Sequence, residues 1–392
     1  MKNHRLLRAC LVAGVLSSVI ATRALGAQRE FSEEQLQQWL KRYPEADANK
    51  DGKLTPDEAR AYLRKIRGGD ETPGSPKATD AKPTDKAEAT KADSKAARKA
   101  KRSGDALPKP DFADVSYGTH PNNKFDLWLA KSDKPTPLVI FIHGGGFVAG
   151  DKSSASGAAL KQCLDAGVSF ASINYRFRTE TSINTVLRDS ARALQYLRYK
   201  AKDYNLDKTR VGVFGGSAGA GTSLWLAFRD DLADPKNDDP VLRESTRVTA
   251  AASSAGQATY DILKWQDVLG SEEAMKFYPQ STWPAFYGLK TLDELQTEKG
   301  KQLRADVDML GLITKDDAPV WLGAGDGHEA LANKGDTYHS PKHSEAVKKR
   351  CDEVGVKAVL KIGSAAPSDP DGARGPVDFL LKYLIVKTAS AK

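Results

Sequence analysis

The chain has 392 residues, of which 40% are hydrophobic and 28% are charged, so it can form one large globular domain with additional segments. Its formal net charge is +8, yet residues 111–392 carry 36 basic and 36 acidic side chains. The positive excess therefore lies in residues 1–110. A neutral large segment gives no support for a nucleic-acid-binding function.

The N-terminus has the pattern of a secretory signal peptide. A positively charged start precedes an apolar run over residues 9–21, and small residues near Ala27 are typical of a cleavage site. The run is too short to span a bilayer comfortably. We therefore predict a signal peptide over residues 1–27, a secreted or periplasmic protein, and no stable membrane insertion after cleavage.

A twelve-residue stretch, residues 47–58, follows the EF-hand calcium loop at each ligand position. Gly52 permits the sharp turn, and hard oxygen ligands at this spacing suit calcium. A polar turn between two helices is the alternative interpretation. We predict an EF-hand module over residues 28–67. Its expected calcium ligands are Asp47, Asn49, Asp51, Lys53 through its backbone carbonyl, Thr55 and Glu58.

Residues 68–110 consist mainly of Ala, Lys, Asp, Thr, Ser and Pro, with almost no large apolar side chain. Such a segment cannot bury enough surface to offset the entropy lost on ordering. We predict a disordered linker here, joining the small helical module to a large domain over residues 111–392.

Strands and helices alternate beyond residue 111, which is typical of an α/β domain with a mostly parallel sheet and helices on both faces. An insertion interrupts the alternation over residues 257–317. The predicted strands are 114–117, 124–129, 138–143, 169–174, 210–214, 248–252, 319–323 and 357–362, and the predicted helices are 155–166, 186–204, 218–228, 341–354 and 377–387.

Two cysteines follow the signal segment within the large domain, Cys163 and Cys351. A domain of this size can obtain its stability from its core without disulfides. The two cysteines fall on helices that we expect to cover opposite faces of the sheet. We therefore predict two free, partly buried thiols.

One motif has the pattern of a nucleophilic turn. The strand at residues 210–214 leads into Gly-Gly-Ser-Ala-Gly at residues 215–219, after which helix-forming residues resume. This is a G-x-S-x-G motif in the strand-to-helix context that it requires. Its glycines permit a strained bend that lifts the Ser217 hydroxyl above the sheet. Ser217 is the predicted nucleophile.

A second motif precedes it along the chain. The strand at residues 138–142 leads into His-Gly-Gly-Gly-Phe at residues 143–147. Glycines leave the backbone N–H groups of this loop unencumbered by side chains. We predict that the N–H groups of Gly145, Gly146 and Ala218 form an oxyanion hole beside the serine hydroxyl.

These two motifs, in this order, resemble those of α/β-hydrolases of the hormone-sensitive-lipase-like and bacterial carboxylesterase type. Asn-Tyr-Arg-Phe at residues 174–177 and Asp189 add to a resemblance that covers residues 120–228 well. It implies an α/β-hydrolase fold and a cap at the insertion. It also implies hydrolysis of acyl or aryl esters through an acyl-serine intermediate, with no cofactor for catalysis. By analogy with other exported enzymes, we expect the partner to be a small-molecule or polysaccharide-linked ester. His143 would shape the glycine loop and would not be the base.

The family pattern also needs an acid after the seventh strand and a histidine after the eighth. Asp326 supplies the acid, but no histidine exists beyond His343. A serine hydroxyl without a base is a poor nucleophile at neutral pH. His339 is the best substitute base, since it precedes a helix on the side where the active site opens. A helix-capping or surface role is its alternative, and His343 is expected to be solvated.

Carboxylic ester hydrolysis by an exported serine hydrolase with a calcium module is the favoured function. One alternative is a non-catalytic relative that keeps the fold and binds a ligand or partner. In another, the EF-hand is the functional part and docks the protein to a surface or to another calcium module. Fold by itself does not separate these functions, and the oligomeric state is left open.

Overall fold

The structure is a computed structural model that describes residues 36–37, 40, 44–66, 107–327, 331–369 and 373–385. The chain divides into two compact units, Met1–Asp85 and Lys86–Lys392. The predicted signal peptide and most of the predicted linker lie outside the described residues. Within the described ranges, no helix is long and apolar enough to cross a membrane.

The N-terminal unit contains a short 3-10 turn, Pro44–Ala46, and a helix, α1, Pro56–Ile66. Between them lies the stretch that matches the calcium loop. A small core of four buried apolar side chains holds the turn and the helix together: Leu36, Ala46, Leu54 and Ala59.

The C-terminal unit is built on an eight-stranded sheet with the order β1-β2-β4-β3-β5-β6-β7-β8. β2 pairs antiparallel with β1 and β4, and the other pairs are parallel. Every predicted strand is confirmed, with shifts at its ends. The strands are β1 Phe112–Ser116, β2 Lys124–Trp128, β3 Thr136–Ile142, β4 Ser169–Ile173, β5 Leu206–Gly216, β6 Ala250–Ser254, β7 Val320–Ala324 and β8 Ala358–Ile362.

Helices cover both faces of this sheet, as the α/β-hydrolase prediction requires. On one face α3, α4 and α10 pack with the insertion into the larger core, and α2 and α11 pack into a separate core on the other face. The helices are α2 Gly157–Asp165, α3 Ile183–Tyr199, α4 Ala218–Phe228, α5 Trp265–Leu269, α6 Trp283–Phe286, α7 Glu298–Ala305, α8 Met309–Leu312, α9 Lys334–Tyr338, α10 Pro341–Val354 and α11 Pro376–Leu384.

The two cysteines are free, and each is buried. Cys163 lies in the smaller core beneath α2, whereas Cys351 lies in the larger core beneath α10. The prediction of two unpaired thiols on opposite faces is therefore confirmed. Burial raises the pKa of both thiols to about 12, so both are protonated at neutral pH.

Residues 107–110, which the sequence analysis assigned to the disordered linker, are part of the ordered C-terminal unit. The indole N–H of Trp128 donates to the carbonyl oxygen of Pro108 at 2.9 Å. Leu107 packs against the smaller core. The domain therefore begins a few residues earlier than predicted, because one apolar side chain and one carbonyl acceptor attach this segment to β2.

The insertion folds as a run of short helices that is fastened to α4. The indole N–H of Trp225 donates to the carbonyl oxygen of Asp306 at 2.7 Å, and the guanidinium of Arg229 pairs with the Asp306 carboxylate at 3.0 Å. Deeper in the insertion, Arg304 pairs with Asp261 at 2.9 Å, and both side chains are largely buried. These contacts hold the insertion above the carboxyl end of the sheet.

The strand order brings the two glycine motifs together. β3 and β5 are neighbours in the sheet, and their register pairs Ile142 with Gly215. Both strands run in the same direction, so the loops that follow them leave from one edge. In open α/β sheets, ligands bind at this carboxyl edge.

Candidate active site

Ser217 occupies a sharp turn between β5 and α4. Its backbone has φ 53° and ψ −116°, which is a sparsely populated conformation for a residue with a side chain. Its N–H donates to the carbonyl oxygen of Ser254 at 2.9 Å, and its own carbonyl accepts from Gly221 N–H at 3.0 Å. The structure therefore places Ser217 at the strained turn that the motif predicted.

Two glycines of this motif are required by close backbone contact. A Cβ atom on Gly219 would lie 1.9 Å from the carbonyl oxygen of Ile142, and one on Gly215 would lie 2.3 Å from the same atom. Gly216, between them, would meet nothing within 4 Å. The turn and the end of β3 touch through backbone atoms, which brings the glycine loop beside Ser217.

The glycine loop after β3 adopts left-handed backbone at three successive residues: φ is 111° at Gly145, 60° at Gly146 and 63° at Phe147. Gly146 and Ala218 line the cavity that also contains Ser217, whereas Gly145 is not among its lining residues. Ala218 is the first residue of α4, so its N–H has no acceptor within the helix. Two of the three predicted oxyanion-hole residues thus border the nucleophile's cavity.

His143 is incorporated into the base of this loop. Its ring stacks on Tyr175 with centroids 4.3 Å apart, and its Nδ1 lies 2.7 Å from the carbonyl oxygen of Gly144. Tyr175 in turn donates its hydroxyl to the His143 carbonyl at 2.7 Å. Burial lowers the pKa of His143, so the ring is neutral at pH 7. These contacts give His143 the loop-shaping position that the resemblance implied.

His339 lies beside Ser217, the predicted nucleophile: its Nε2 is 2.8 Å from the Ser217 Oγ. It is the residue that the sequence analysis chose in place of the missing histidine. The residue is partly open to solvent, while the protein around the ring removes enough water to lower its pKa from the ordinary 6.5. A neutral imidazole nitrogen at this distance can accept a proton from the serine hydroxyl.

The segment that carries His339 is held by Gln257, a residue that the sequence analysis did not single out. The Gln257 side chain donates its amide N–H to the carbonyl oxygen of Tyr338 at 2.7 Å. α9 ends at Tyr338 and α10 begins at Pro341, so His339 lies in the junction between two helices. The insertion thereby fixes the backbone of the residue before His339.

His343 is buried, which corrects the expectation that it is solvated. It is fully enclosed, and burial lowers its pKa to about 4. Its Nε2 lies 3.1 Å from the carbonyl oxygen of Thr337, and its Nδ1 accepts Ala258 N–H at 3.3 Å. The ring also packs edge-on against Trp265, with centroids 5.2 Å apart. His343 therefore joins the first turn of α10 to the insertion, and its burial follows from that packing.

Asp326 lies just beyond the end of β7, as predicted, but its carboxylate is exposed. Its Oδ1 sits 1.5 Å from where a Cβ on Gly363 would be, so the side chain lies against the turn after β8. No hydrogen bond joins Asp326 to His339 among the described residues. The structure thus brings Ser217 and His339 together without Asp326, and His328 lies outside the described residues.

A cavity of about 80 Å³ opens above Ser217. Its walls come from the glycine loop, the serine turn, the α9–α10 junction and the insertion, so the insertion covers the site as a cap. Six of the lining side chains are aromatic. The lining residues are Gly146, Phe147, Arg178, Ser217, Ala218, Gln257, Tyr260, Ile262, Trp265, Tyr278, Phe286 and Tyr338.

The family model described as BD-FAE matches residues 125–334, which is more than half of the chain. The chain belongs to the BD-FAE family. The matched segment includes the glycine loop, Ser217 and the cap, and it ends five residues before His339. The histidine beside the nucleophile therefore lies just past the segment that defines family membership.

This BD-FAE chain is similar in sequence to plant methylesterases. It is 29% identical over 155 residues to a probable isoprenylcysteine alpha-carbonyl methylesterase of Arabidopsis thaliana, covering 39% of the chain and 32% of that protein. It is 32% identical over 144 residues to a protein of the same name from Oryza sativa, covering 36% and 34%. The chain thus spans about one third of the length of these relatives.

Among solved structures, a truncated carbohydrate esterase from gut microbiota aligns with 66% of this chain and 90% of its own, at 20% identity and a TM-score of 0.51. At this identity the likeness concerns the fold. The α/β-hydrolase fold of this BD-FAE protein is thereby confirmed.

The candidate calcium loop lies outside the matched segment, in the N-terminal unit. Its backbone turns sharply at Lys50, with φ 59°, and at Gly52, with φ 80°. One oxygen of Asp47, Oδ2, accepts Gly52 N–H at 2.9 Å. The other, Oδ1, is buried and has no hydrogen-bond partner among the described residues. A buried carboxylate oxygen without a donor is suited to a cation.

Glu58 closes the loop as a helix cap. Thr55 N–H donates to Glu58 Oε2 at 3.0 Å, and Glu58 N–H donates to Thr55 Oγ1 at 3.3 Å, which forms a capping box at the start of α1. Hydrogen bonds from the Thr55 side chain and backbone hold the pKa of Glu58 below its usual value. In the described residues no three His, Cys, Asp or Glu side chains form a metal cluster, so calcium would also depend on Asn49 and backbone oxygens.

Proposed function

We propose that the protein is a serine carboxylesterase with Ser217 as nucleophile and His339 as base. The observation that carries this proposal is the 2.8 Å separation between Ser217 Oγ and His339 Nε2, at a strained strand-to-helix turn. A nucleophile within hydrogen-bond reach of a neutral base is the arrangement that acyl transfer to serine needs. The relatives named as methylesterases are consistent with this reaction class.

In the proposed reaction, His339 Nε2 takes the proton as Ser217 Oγ attacks the ester carbonyl carbon. The N–H groups of Gly146 and Ala218, which line the cavity, stabilise the oxyanion of the tetrahedral intermediate. Gly145 precedes Gly146 in the same loop and does not line the cavity. The intermediate collapses to an acyl-serine, and His339 returns its proton to the departing alcohol. Water, activated by the same nitrogen, then releases the acid and regenerates Ser217.

The proposed mechanism uses a Ser–His pair and does not require Asp326. The Asp326 carboxylate makes no hydrogen bond to His339 in the described part of the chain. The segment around His339 is instead fixed by Gln257 on Tyr338 and by His343 on Thr337. In this proposal, these two hydrogen bonds to backbone carbonyls orient the His339 ring, and no carboxylate pairs with its second nitrogen.

The cavity above Ser217 is small and mostly aromatic, which favours a compact acyl group. We therefore propose short-chain esters of small or carbohydrate alcohols as substrates. The predicted signal peptide extends this proposal to substrates outside the cytoplasm.

A serine-directed phosphonate tests the Ser–His pair through the pH dependence of labelling. We expect covalent labelling of Ser217, measured by mass spectrometry of its peptide. Desolvation lowers the pKa of His339 below 6.5. The neutral base is then retained to lower pH than for a free histidine, and the labelling rate should fall only as pH drops through that lowered pKa. Absence of labelling at every pH would contradict the enzyme proposal and favour a binding protein.

We also propose that residues 47–58 bind calcium. Asp47 Oδ1, which is buried and has no hydrogen-bond donor among the described residues, would be one ligand. Isothermal titration of the full chain should give one site with a Kd of roughly 10⁻⁴ to 10⁻³ M, the range of extracellular modules. Asp47→Asn and Glu58→Gln should weaken it at least about tenfold. Asp57→Asn removes the same charge at a position outside the ligand set, and it should leave the affinity nearly unchanged.

Calcium should leave ester hydrolysis within about twofold of its value in chelator, because a long predicted linker transmits little strain. Equal calcium affinity in wild type and Asp47→Asn would contradict the site. A large calcium-dependent change in hydrolysis would contradict the independence of the two units.

A further inference from the structure

Arg178 is a half-buried cation that lines the cavity of Ser217. In the part of the chain that the structure describes, no carboxylate lies within ion-pair distance of its guanidinium. Its one side-chain hydrogen bond runs from Nε to the carbonyl oxygen of Gly146, at 3.4 Å. A partly buried charge without a counter-ion is suited to pairing with an anionic ligand.

The guanidinium groups of other buried or partly buried arginines in the C-terminal unit have more hydrogen-bond partners than that of Arg178. Arg176 makes a two-pronged pair with Asp189, with its Nε 2.8 Å and its Nη2 2.6 Å from the carboxylate. Arg304 donates from one nitrogen, Nη1, to both carboxylate oxygens of Asp261. Arg198 donates from its two terminal nitrogens to the backbone carbonyls of Ser245 and Arg247. Arg178 alone among these has its charge directed at the cavity of the nucleophile.

Two tyrosines, Tyr278 and Tyr338, line this cavity with Arg178. The rings of Tyr278 and Tyr338 meet edge-on, with centroids 6.1 Å apart, and both line the cavity. Neither hydroxyl has a hydrogen-bond partner among the described residues. Burial raises the pKa of Tyr278 to about 12 and also raises that of Tyr338, while the nearby charge of Arg178 opposes both shifts. Both phenols are therefore protonated, and both tyrosines line the cavity together with Arg178.

We propose that Arg178, Tyr278 and Tyr338 form a subsite for a carboxylate carried by the ester substrate. A planar guanidinium matches a carboxylate in a bidentate geometry, and two phenol hydroxyls supply further donors to the same group. The aromatic walls lower the local polarity, which strengthens such contacts. This inference rests on the proposed esterase function and narrows its substrates to anionic esters.

Two matched substrate pairs test the subsite on either side of the scissile bond. On the alcohol side, 4-acetoxybenzoate is compared with its methyl ester. On the acyl side, mono-4-nitrophenyl glutarate is compared with 4-nitrophenyl 5-methylhexanoate, in which an isopropyl group replaces the carboxylate. In at least one pair, wild type should prefer the anionic member in kcat/KM, after subtraction of the spontaneous rate.

Arg178→Gln should lower the ratio of kcat/KM for the anionic member to kcat/KM for the neutral member by about 10- to 100-fold. The change should appear mainly in KM, because the substitution deletes charge-assisted hydrogen bonds. Arg178→Gln should lower kcat/KM for the neutral member by a clearly smaller factor than for the anionic member, because any disturbance of Gly146 affects both members equally. Arg178→Lys keeps the charge without the fork and should retain part of the preference. Tyr278→Phe and Tyr338→Phe should each lower it by a smaller factor.

Equal losses on both members of a pair in Arg178→Gln would overturn the subsite and show a structural role. An absence of anionic preference in both pairs would overturn it as well. Failure of the esterase proposal is distinguishable, since wild type would then turn over none of the four esters faster than Ser217→Ala.

Discussion

Replacing His339 with alanine is expected to lower kcat/KM for ester hydrolysis by about 10³- to 10⁶-fold, close to the loss in Ser217→Ala. The reason is the 2.8 Å contact between His339 Nε2 and Ser217 Oγ, which would make the ring the acceptor of the serine proton. Residues that act as one unit do not lose activity additively, so the double variant should be no worse than either single one. Steady-state kinetics on a short-chain ester measure all three losses.

His120→Ala is a suitable control, because His120 pairs with Glu180 at 2.9 Å on another loop. It should keep activity within about twofold of wild type, in line with the small worth of a surface ion pair. Retention of more than about a tenth of the activity in His339→Ala would show that this ring is not the base. Loss of activity in His328→Ala instead would move that role to the neighbouring histidine.

Gly219→Ala is expected to damage both stability and activity. The new Cβ would lie 1.9 Å from the carbonyl oxygen of Ile142 and 2.6 Å from its carbonyl carbon, and neither backbone atom can rotate away. Forcing α4 from the end of β3 should cost about 1–3 kcal/mol or more in the free energy of unfolding. It should also displace Ser217 from the glycine loop, and a shift of about 1 Å at a catalytic group can lower the rate about 100-fold.

Gly216→Ala makes the same chemical change three residues earlier in the same turn. Its Cβ would meet no atom within 4 Å, and its φ is outside the left-handed region. We expect a stability change below about 1 kcal/mol and activity within about threefold of wild type. Thermal or urea unfolding with ester kinetics measures both variants. Similar losses in the two would show that the motif tolerates no side chain for a reason other than contact with β3.

The sequence by itself determined the α/β architecture and marked Ser217 as the candidate nucleophile. Apolar runs bounded by turn residues marked the central strands of the sheet, because a buried strand needs continuous apolar side chains wherever its neighbours lie. Ser217 could be assigned in the same way. The glycines around Ser217 are required by a strained turn and by a close backbone approach to β3. Both requirements are local, so they can be recognised within five consecutive residues.

The tertiary structure decided which side chains meet Ser217. His339 is 122 residues away along the chain, and its contact depends on where the α9–α10 junction lies relative to the end of β5. Hydrogen bonds from Gln257 to Tyr338 and from His343 to Thr337 fix that junction. No sequence pattern marked Gln257, and His343 was expected to be solvated. Asp326 shows the converse: its position after β7 was predicted, while its carboxylate turns toward Gly363. Local pattern encodes backbone conformation, whereas the direction and partners of a side chain follow from packing between segments that no short pattern records.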